Sequence, residues 1–218
     1  MVKIFAVKII DNPYKYEKLL IKKLDELERN RYKKIKNEAR KLQFLVGRNL
    51  LFYIVDRILN MNFKYEIRYG AYGKPEFSLN NLKFNISHSN AWVICAVSQT
   101  AVGVDIENIN NLNNCRYIGN LLVEFYEKLS ETKYLCNENL SSVWTLREAF
   151  IKLKGLEFDI LSNNSALAFS IKSNEENIYF KQYDVISGYY VTCCSYERIE
   201  DEINIIEFYD LLTEWGEY

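Results

Sequence analysis

Residues 2–10 form a nearly unbroken apolar run, which predicts a buried strand ended by the Asp11-Asn12-Pro13 turn. Residues 16–28 carry helical spacing. A longer helix is predicted over 37–59, because Leu42, Leu45, Val46, Leu50, Phe52 and Tyr53 recur at intervals of three and four. Residues 65–69 read as a short strand, followed by a Gly-Lys-Pro turn at 73–75. Three strand-like runs come next, at 82–87, 91–98 and 102–106. The stretch 108–114 holds five asparagines in seven residues and is the best linker candidate. Beyond it, 118–128 and 140–154 have helical patterns, and 166–172, 178–186, 189–196 and 203–209 have strand patterns. The chain thus divides into two α+β halves, 1–108 and 109–218, with no strong repeat between them. The last fifty residues carry no motif and are assigned to completing the second half's sheet.

Composition narrows the class. With 218 residues, 49% of them hydrophobic and 26% charged, the chain can bury a core without staples. Eight glycines and two prolines exclude collagen-like and low-complexity chains. A net charge of −1 argues against a nucleic-acid binder. The charge is uneven, however. Between Lys18 and Arg48 there are eleven Lys/Arg against four Asp/Glu; from Glu197 to Tyr218 there are eight Asp/Glu against one Arg. The first region is either a solvated basic helix face or a place for an anion. Five cysteines without a CxxC pair, and a single histidine, argue against zinc. No basic-then-apolar leader and no apolar run near 18 residues are present, so the expectation is a cytoplasmic protein with structural thiols and no membrane partner.

Three local patterns can carry chemistry. Phe84-Asn-Ile-Ser-His-Ser89 holds His88 where a strand meets a turn. A lone histidine is more often structural, yet an imidazole beside Ser87 and Ser89 hydroxyls suits a phosphate oxygen. In Gly103-Val-Asp-Ile-Glu107, strand alternation projects Asp105 and Glu107 to one side. Such a pair is either a solvated strand end or a cation site. Mg²⁺ suits it, because it takes one or two carboxylates together with phosphates. In Trp144-Thr-Leu-Arg-Glu-Ala-Phe-Ile-Lys152, helical spacing puts Trp144, Glu148 and Lys152 on one face. Glu148 and Lys152 form either an exposed ion pair or a third metal carboxylate with a supporting cation.

Taken together and in this order, the three motifs resemble those of the 4′-phosphopantetheinyl transferases of the surfactin-synthetase-activating type. The resemblance covers residues 1–160. It implies transfer of the phosphopantetheine arm of coenzyme A to a serine of an apo acyl- or peptidyl-carrier protein, with release of adenosine 3′,5′-bisphosphate and dependence on Mg²⁺. It also implies a pseudo-dimer of two α+β halves with the active site in the cleft between them. That form can work as a monomer and is often associated with secondary metabolism. Asp105 and Glu107 match the metal-binding acidic pair, Glu148 the third metal carboxylate and catalytic base, and Lys152 the catalytic lysine. Ser87 and His88 match contacts to coenzyme A phosphates, and Lys74 a residue beside the adenine. Arg48 matches an arginine used on nucleotide phosphates, with Arg40 and Lys41 as looser candidates.

Some positions depart from the family pattern. Arg147 stands where the family has lysine, Gln43 where it often has arginine, and Glu157 follows Leu156 where a second glycine is usual. None removes a metal ligand. Two other readings fit the residues less well: another Mg²⁺-dependent phosphotransfer enzyme, which lacks a GxxxxGK loop, and a non-catalytic coenzyme A or carrier-binding relative.

Overall fold

The computed structural model describes residues 1–61, 66–70, 73–78, 81–110, 140–155 and 178–213. The expected helix at 118–128, the expected strand at 166–172, most of the linker, Cys115, Cys136 and Glu157 lie outside these residues.

The first strand, β1 (Lys3–Lys8), is followed by α1 (Glu17–Lys22), α2 (Glu26–Lys34) and α3 (Glu38–Tyr53). The single helix expected over 16–28 is broken in two. The Asp25 carboxylate accepts the Glu28 backbone N–H at 2.8 Å and caps a new helix there. Asn37 does the same for α3, accepting from the Arg40 N–H at 2.9 Å. α3 then runs into a wider turn over Ile54–Ile58. A short hairpin pairs β2 (Ile67–Tyr69) with β3 (Pro75–Phe77). Next come β4 (Lys83–Ser89), β5 (Trp92–Ser98) and β6 (Val102–Asn108). After the linker region follow α4 (Leu140–Lys154), β7 (Tyr179–Tyr183), β8 (Tyr189–Ser195) and β9 (Asn204–Ile206), and a 3-10 turn at Phe208–Leu212.

Among the described residues the strands outside the β2–β3 hairpin form two sheets, ordered β4-β5-β1-β9 and β6-β8-β7. β1 is buried on both faces, which explains its continuous apolar run. Phe5 and Val7 face α3 in one core with Leu45, Leu50, Phe84 and Phe208. Ile4 and Ala6 face the other sheet in a second core with Val104, Ile106, Val191 and Cys193. The layers therefore run α3, first sheet, second sheet, α4. Cys95, Cys193 and Cys194 are buried free thiols, and burial pushes each thiol pKa up, in keeping with a structural role.

Strand partners do not follow the expected division at 108/109. β6, from the first half, pairs with β8 in the second sheet. β9, from the end of the chain, pairs in parallel with β1. The assignment of the last fifty residues to the second sheet therefore holds for β7 and β8 but is corrected for β9. There the Asn204 amide donates to the Ile4 carbonyl at 3.2 Å, and Phe208 and Leu211 fill the first core.

Candidate active site

β4 has two chemically different faces. Asn85, Ser87 and Ser89 point toward β6, and each makes a bond there. The Asn85 side-chain oxygen accepts the Val104 N–H at 2.8 Å; the Ser87 hydroxyl donates to Asp105 Oδ1 at 2.7 Å; the Ser89 hydroxyl donates to Glu107 Oε2 at 2.9 Å. These bonds stitch the edge of one sheet to the edge of the other. Ile86 and His88 point the opposite way, into a cavity of about 600 Å³ against α3.

That cavity is basic. Arg31, Lys36, Arg40 and Arg48 line it, with Tyr69 and His88. Arg31, Lys36 and Arg40 are exposed. Arg48 is buried; its Nε donates to Glu28 and its Nη2 to the Tyr69 hydroxyl at 2.9 Å. The flanking carboxylate and phenol hold its pKa up against desolvation. Gln43 also lines the cavity, and its amide donates to the Asn90 carbonyl at 2.8 Å, bracing the β4–β5 turn. Surrounding protein lowers the His88 pKa, and the positive charges of Lys152 and Arg40 lower it further. Lys41 is drawn instead to Glu38 at 3.1 Å.

On the other face of β4, the carboxylate of Asp105 is buried. Lys152 Nζ donates to Asp105 Oδ1 at 2.6 Å and to Ser87 Oγ at 2.9 Å. Glu148, one turn earlier on α4, accepts from Arg147 Nη1 at 3.1 Å. Desolvation raises the Glu148 pKa to about 7; the Asp105 charge raises it too, against Lys152 and Arg147. α4 reaches this position because Gly103 lets it lie directly on β6. A Cβ at Gly103 would stand 1.9 Å from the Ala149 carbonyl oxygen and 2.4 Å from the Leu153 nitrogen.

No family model matches the chain. Over 182 residues it is 30% identical to the 4′-phosphopantetheinyl transferase gsp of Aneurinibacillus migulanus, covering 76% of this chain and 72% of that one. Over 186 residues it is 30% identical to the 4′-phosphopantetheinyl transferase ffp of Bacillus subtilis, covering 77% and 80%. The 4′-phosphopantetheinyl transferase Sfp of Bacillus subtilis (strain 168) is 27% identical over 183 residues, again 77% and 80%.

The chain belongs to the Sfp-type 4′-phosphopantetheinyl transferases.

In this transferase Ser87, His88, Asp105, Glu107, Glu148 and Lys152 gather along β4, β6 and α4. Two expected residues stand differently. Arg48 lies in the cavity wall, already paired with Glu28. Lys74 turns its ammonium away from the cavity and into the end of α4, at 3.1 Å from the Val102 carbonyl and 2.5 Å from that of Lys152. Arg31 and Lys36 were visible in the sequence only as part of a basic stretch. Their place in the cavity depends on the break at Asp25 and on the stacking of Arg31 over the Tyr69 ring at 3.8 Å.

The carboxylates as they stand do not form a ready metal cage. Among the described residues no group of three or more His, Cys, Asp or Glu side chains is drawn together for a metal ion. Asp105 is paired with Lys152 instead, and Glu148 with Arg147. The donor set nevertheless fits a hard divalent cation. Asp105 Oδ2 is buried without a hydrogen-bond partner, and the Asp105 charge disfavours ionised Glu148; a cation between them would relieve both.

Among the described residues no helix is long and apolar enough to cross a membrane.

Proposed function

We propose that this transferase moves the 4′-phosphopantetheine arm of coenzyme A onto a serine of an apo acyl- or peptidyl-carrier protein, releasing adenosine 3′,5′-bisphosphate, with Mg²⁺ as the metal. One observation carries the reading. Along β4, adjacent residues serve opposite faces: His88 looks into the basic cavity and Ser87 bonds the Asp105–Lys152 cluster. A ligand whose phosphate-bearing nucleotide leads directly into the pyrophosphate to be cleaved would span this edge.

On this reading Arg31, Lys36 and Arg40 take the nucleotide phosphates, and His88 takes a pyrophosphate oxygen. The carrier serine attacks the β-phosphorus, a phosphorus–oxygen bond to the departing bisphosphate breaks, and the serine proton passes to Glu148 or a water it holds. Lys152 stabilises the charge that grows on the leaving phosphate. Asp105, Glu107 and Glu148 would hold Mg²⁺, whose contribution when bound is to neutralise charge on the pyrophosphate oxygens.

The same reading treats the chain as a monomeric pseudo-dimer of halves 1–108 and 109–218, with the cleft where β4 and β6 of the first half meet α4 of the second. The repetition of a helix on a sheet of mainly antiparallel strands supports it, and β6 and β9 interlock the halves.

Intact-mass measurement of a panel of apo carrier proteins, incubated with the transferase, coenzyme A and Mg²⁺, tests the proposal. A gain of one phosphopantetheinyl group, abolished by EDTA, is expected. Glu148→Ala should keep the fold and lose the transfer. Near-normal turnover in that variant would sink the site assignment.

A further inference from the structure

Lys74 is flanked by Gly73 and Pro75, both of which line the basic cavity. The turn is braced by its own backbone: Gly70 donates to the Lys74 carbonyl at 3.0 Å, and Gly73 donates to the Gly70 carbonyl at 2.9 Å. The Lys74 side chain leaves the cavity altogether. Its ammonium donates to the carbonyls of Val102 at 3.1 Å, Lys152 at 2.5 Å and Leu153 at 3.3 Å. Two of these belong to the last turn of α4, whose carbonyls have no partner within the helix and carry the negative end of its dipole. The helix stops just beyond, at Gly155, with a left-handed φ of 65°. A Cβ at Gly155 would stand 3.6 Å from Lys74 Cδ, so the lysine stem packs against the helix end as well as capping it.

The lysine therefore joins two parts of the site that lie 78 residues apart in sequence. One end of the link is the rim of the cavity. The other is the backbone of Lys152, whose own ammonium holds Asp105 at 2.6 Å. A three-point bond from a half-buried cation fixes where the end of α4 lies, and with it the reach of Lys152 toward the reacting phosphate. Catalysis by positioned groups is sensitive to displacements of this size, since a shift of about 1 Å can cost on the order of 100-fold in rate.

We propose that Lys74 is a positioning residue: its side chain latches the C-terminal turn of α4 to the cavity rim and sets the place of Lys152, rather than contacting the nucleotide. The inference rests on the functional reading above.

The test pairs Lys74→Met with Lys74→Arg. In Lys74→Met, kcat for a carrier that the wild-type protein modifies should fall at least tenfold. The KM for coenzyme A, and the affinity for adenosine 3′,5′-bisphosphate by calorimetry, should stay within about threefold of wild type. Lys74→Arg, which keeps a cation with several donors, should recover a large part of kcat. Hydrogen exchange at the last turn of α4 should quicken in the methionine variant and not in the arginine variant. A methionine variant with weakened bisphosphate binding and normal kcat would show a nucleotide contact and overturn the proposal. Unchanged kcat and unchanged exchange would overturn it too. If the methionine variant does not fold, Lys74→Gln carries the same test, because it keeps an N–H donor and drops the charge. Wild-type protein that binds the bisphosphate yet modifies no carrier would fail the functional reading, and the exchange experiment would then still decide whether the latch exists.

Discussion

The two helices that cover the sheets are held in different ways. α3 rests on the first sheet through large apolar side chains; Leu45, Leu50, Phe5 and Phe84 share one core. Each such side chain contributes about 1.5–3 kcal/mol on burial, with little demand on direction. α4 lies backbone-close on β6 at Gly103, and its other contacts to the second sheet include a buried polar chain. Thr145 and Thr192 share a hydrogen bond at 2.8 Å; the Gln182 amide donates to Thr192 at 3.0 Å and to the Ser142 carbonyl at 2.9 Å. Hydrogen bonds are directional where apolar packing is not. The first interface supplies stability and a cavity wall. The second supplies register, and it is the one that carries Glu148 and Lys152.

The largest effect on stability should come from the first interface. Leu50→Ala removes a fully buried side chain and should cost about 2–5 kcal/mol in a urea melt. Turnover of the folded fraction should change little. A large loss of kcat with small loss of stability would break the comparison.

Gly103→Ala sharpens it from the other side. The added methyl meets backbone atoms that have no rotamer to change, so α4 must lift from β6. The expected cost in stability is about 1–3 kcal/mol. The expected loss in turnover is on the order of 100-fold, because Lys152 moves with the helix. A variant that loses stability and keeps its rate would show that helix height over β6 does not matter.

Thr192→Val should be milder. It strips one partner from Thr145 and one from Gln182 and should cost about 1 kcal/mol. Adding Thr145→Val should cost less than the two single changes summed, since the pair then becomes apolar together. Strict additivity would show that the two hydroxyls are not coupled.

This contrast also explains what could be read from the sequence. Alternation placed Asp105 and Glu107 on one face and Val104 and Ile106 on the other, because both faces of β6 are buried against different layers and a slip of one residue would reverse them. The motif of α4 was legible for a related reason: its inward and outward faces follow helical spacing. Pairing partners were not legible. Asn204 reaches Ile4 from 200 residues away, and nothing local in residues 204–206 distinguishes joining β1 from joining β7. Side-chain commitments across the fold were hidden too. Arg48 fits an anion contact by motif, yet its Nε goes to Glu28 from another helix. Lys74 fits a nucleotide contact by motif, yet its ammonium goes to α4.

The smallest expected effect concerns a polar intrusion into the apolar side of the comparison. Lys23 is half-buried beside the first core, and its ammonium donates to the Leu211 carbonyl at 2.6 Å. Desolvation lowers its pKa to about 7, although Asp56 pulls the other way. Desolvation likewise raises the pKa of Asp56 to about 6 despite Lys23. Between about pH 7 and the ordinary lysine value, the unfolded chain binds a proton that the folded chain has released, so stability from this group rises with pH. Between the ordinary aspartate value and about pH 6, the folded chain binds the extra proton, so stability from Asp56 falls as pH rises. Together they place the minimum of this contribution between about pH 6 and 7. Thermal melts of wild type and Lys23→Met across pH 5–8, below the ordinary thiol range, should show the wild type gaining stability relative to the variant as pH rises past about 7. An equal slope in both would mean that the apolar interface carries no buried charge of consequence, which would make the contrast with the α4 interface more complete than the structure portrays.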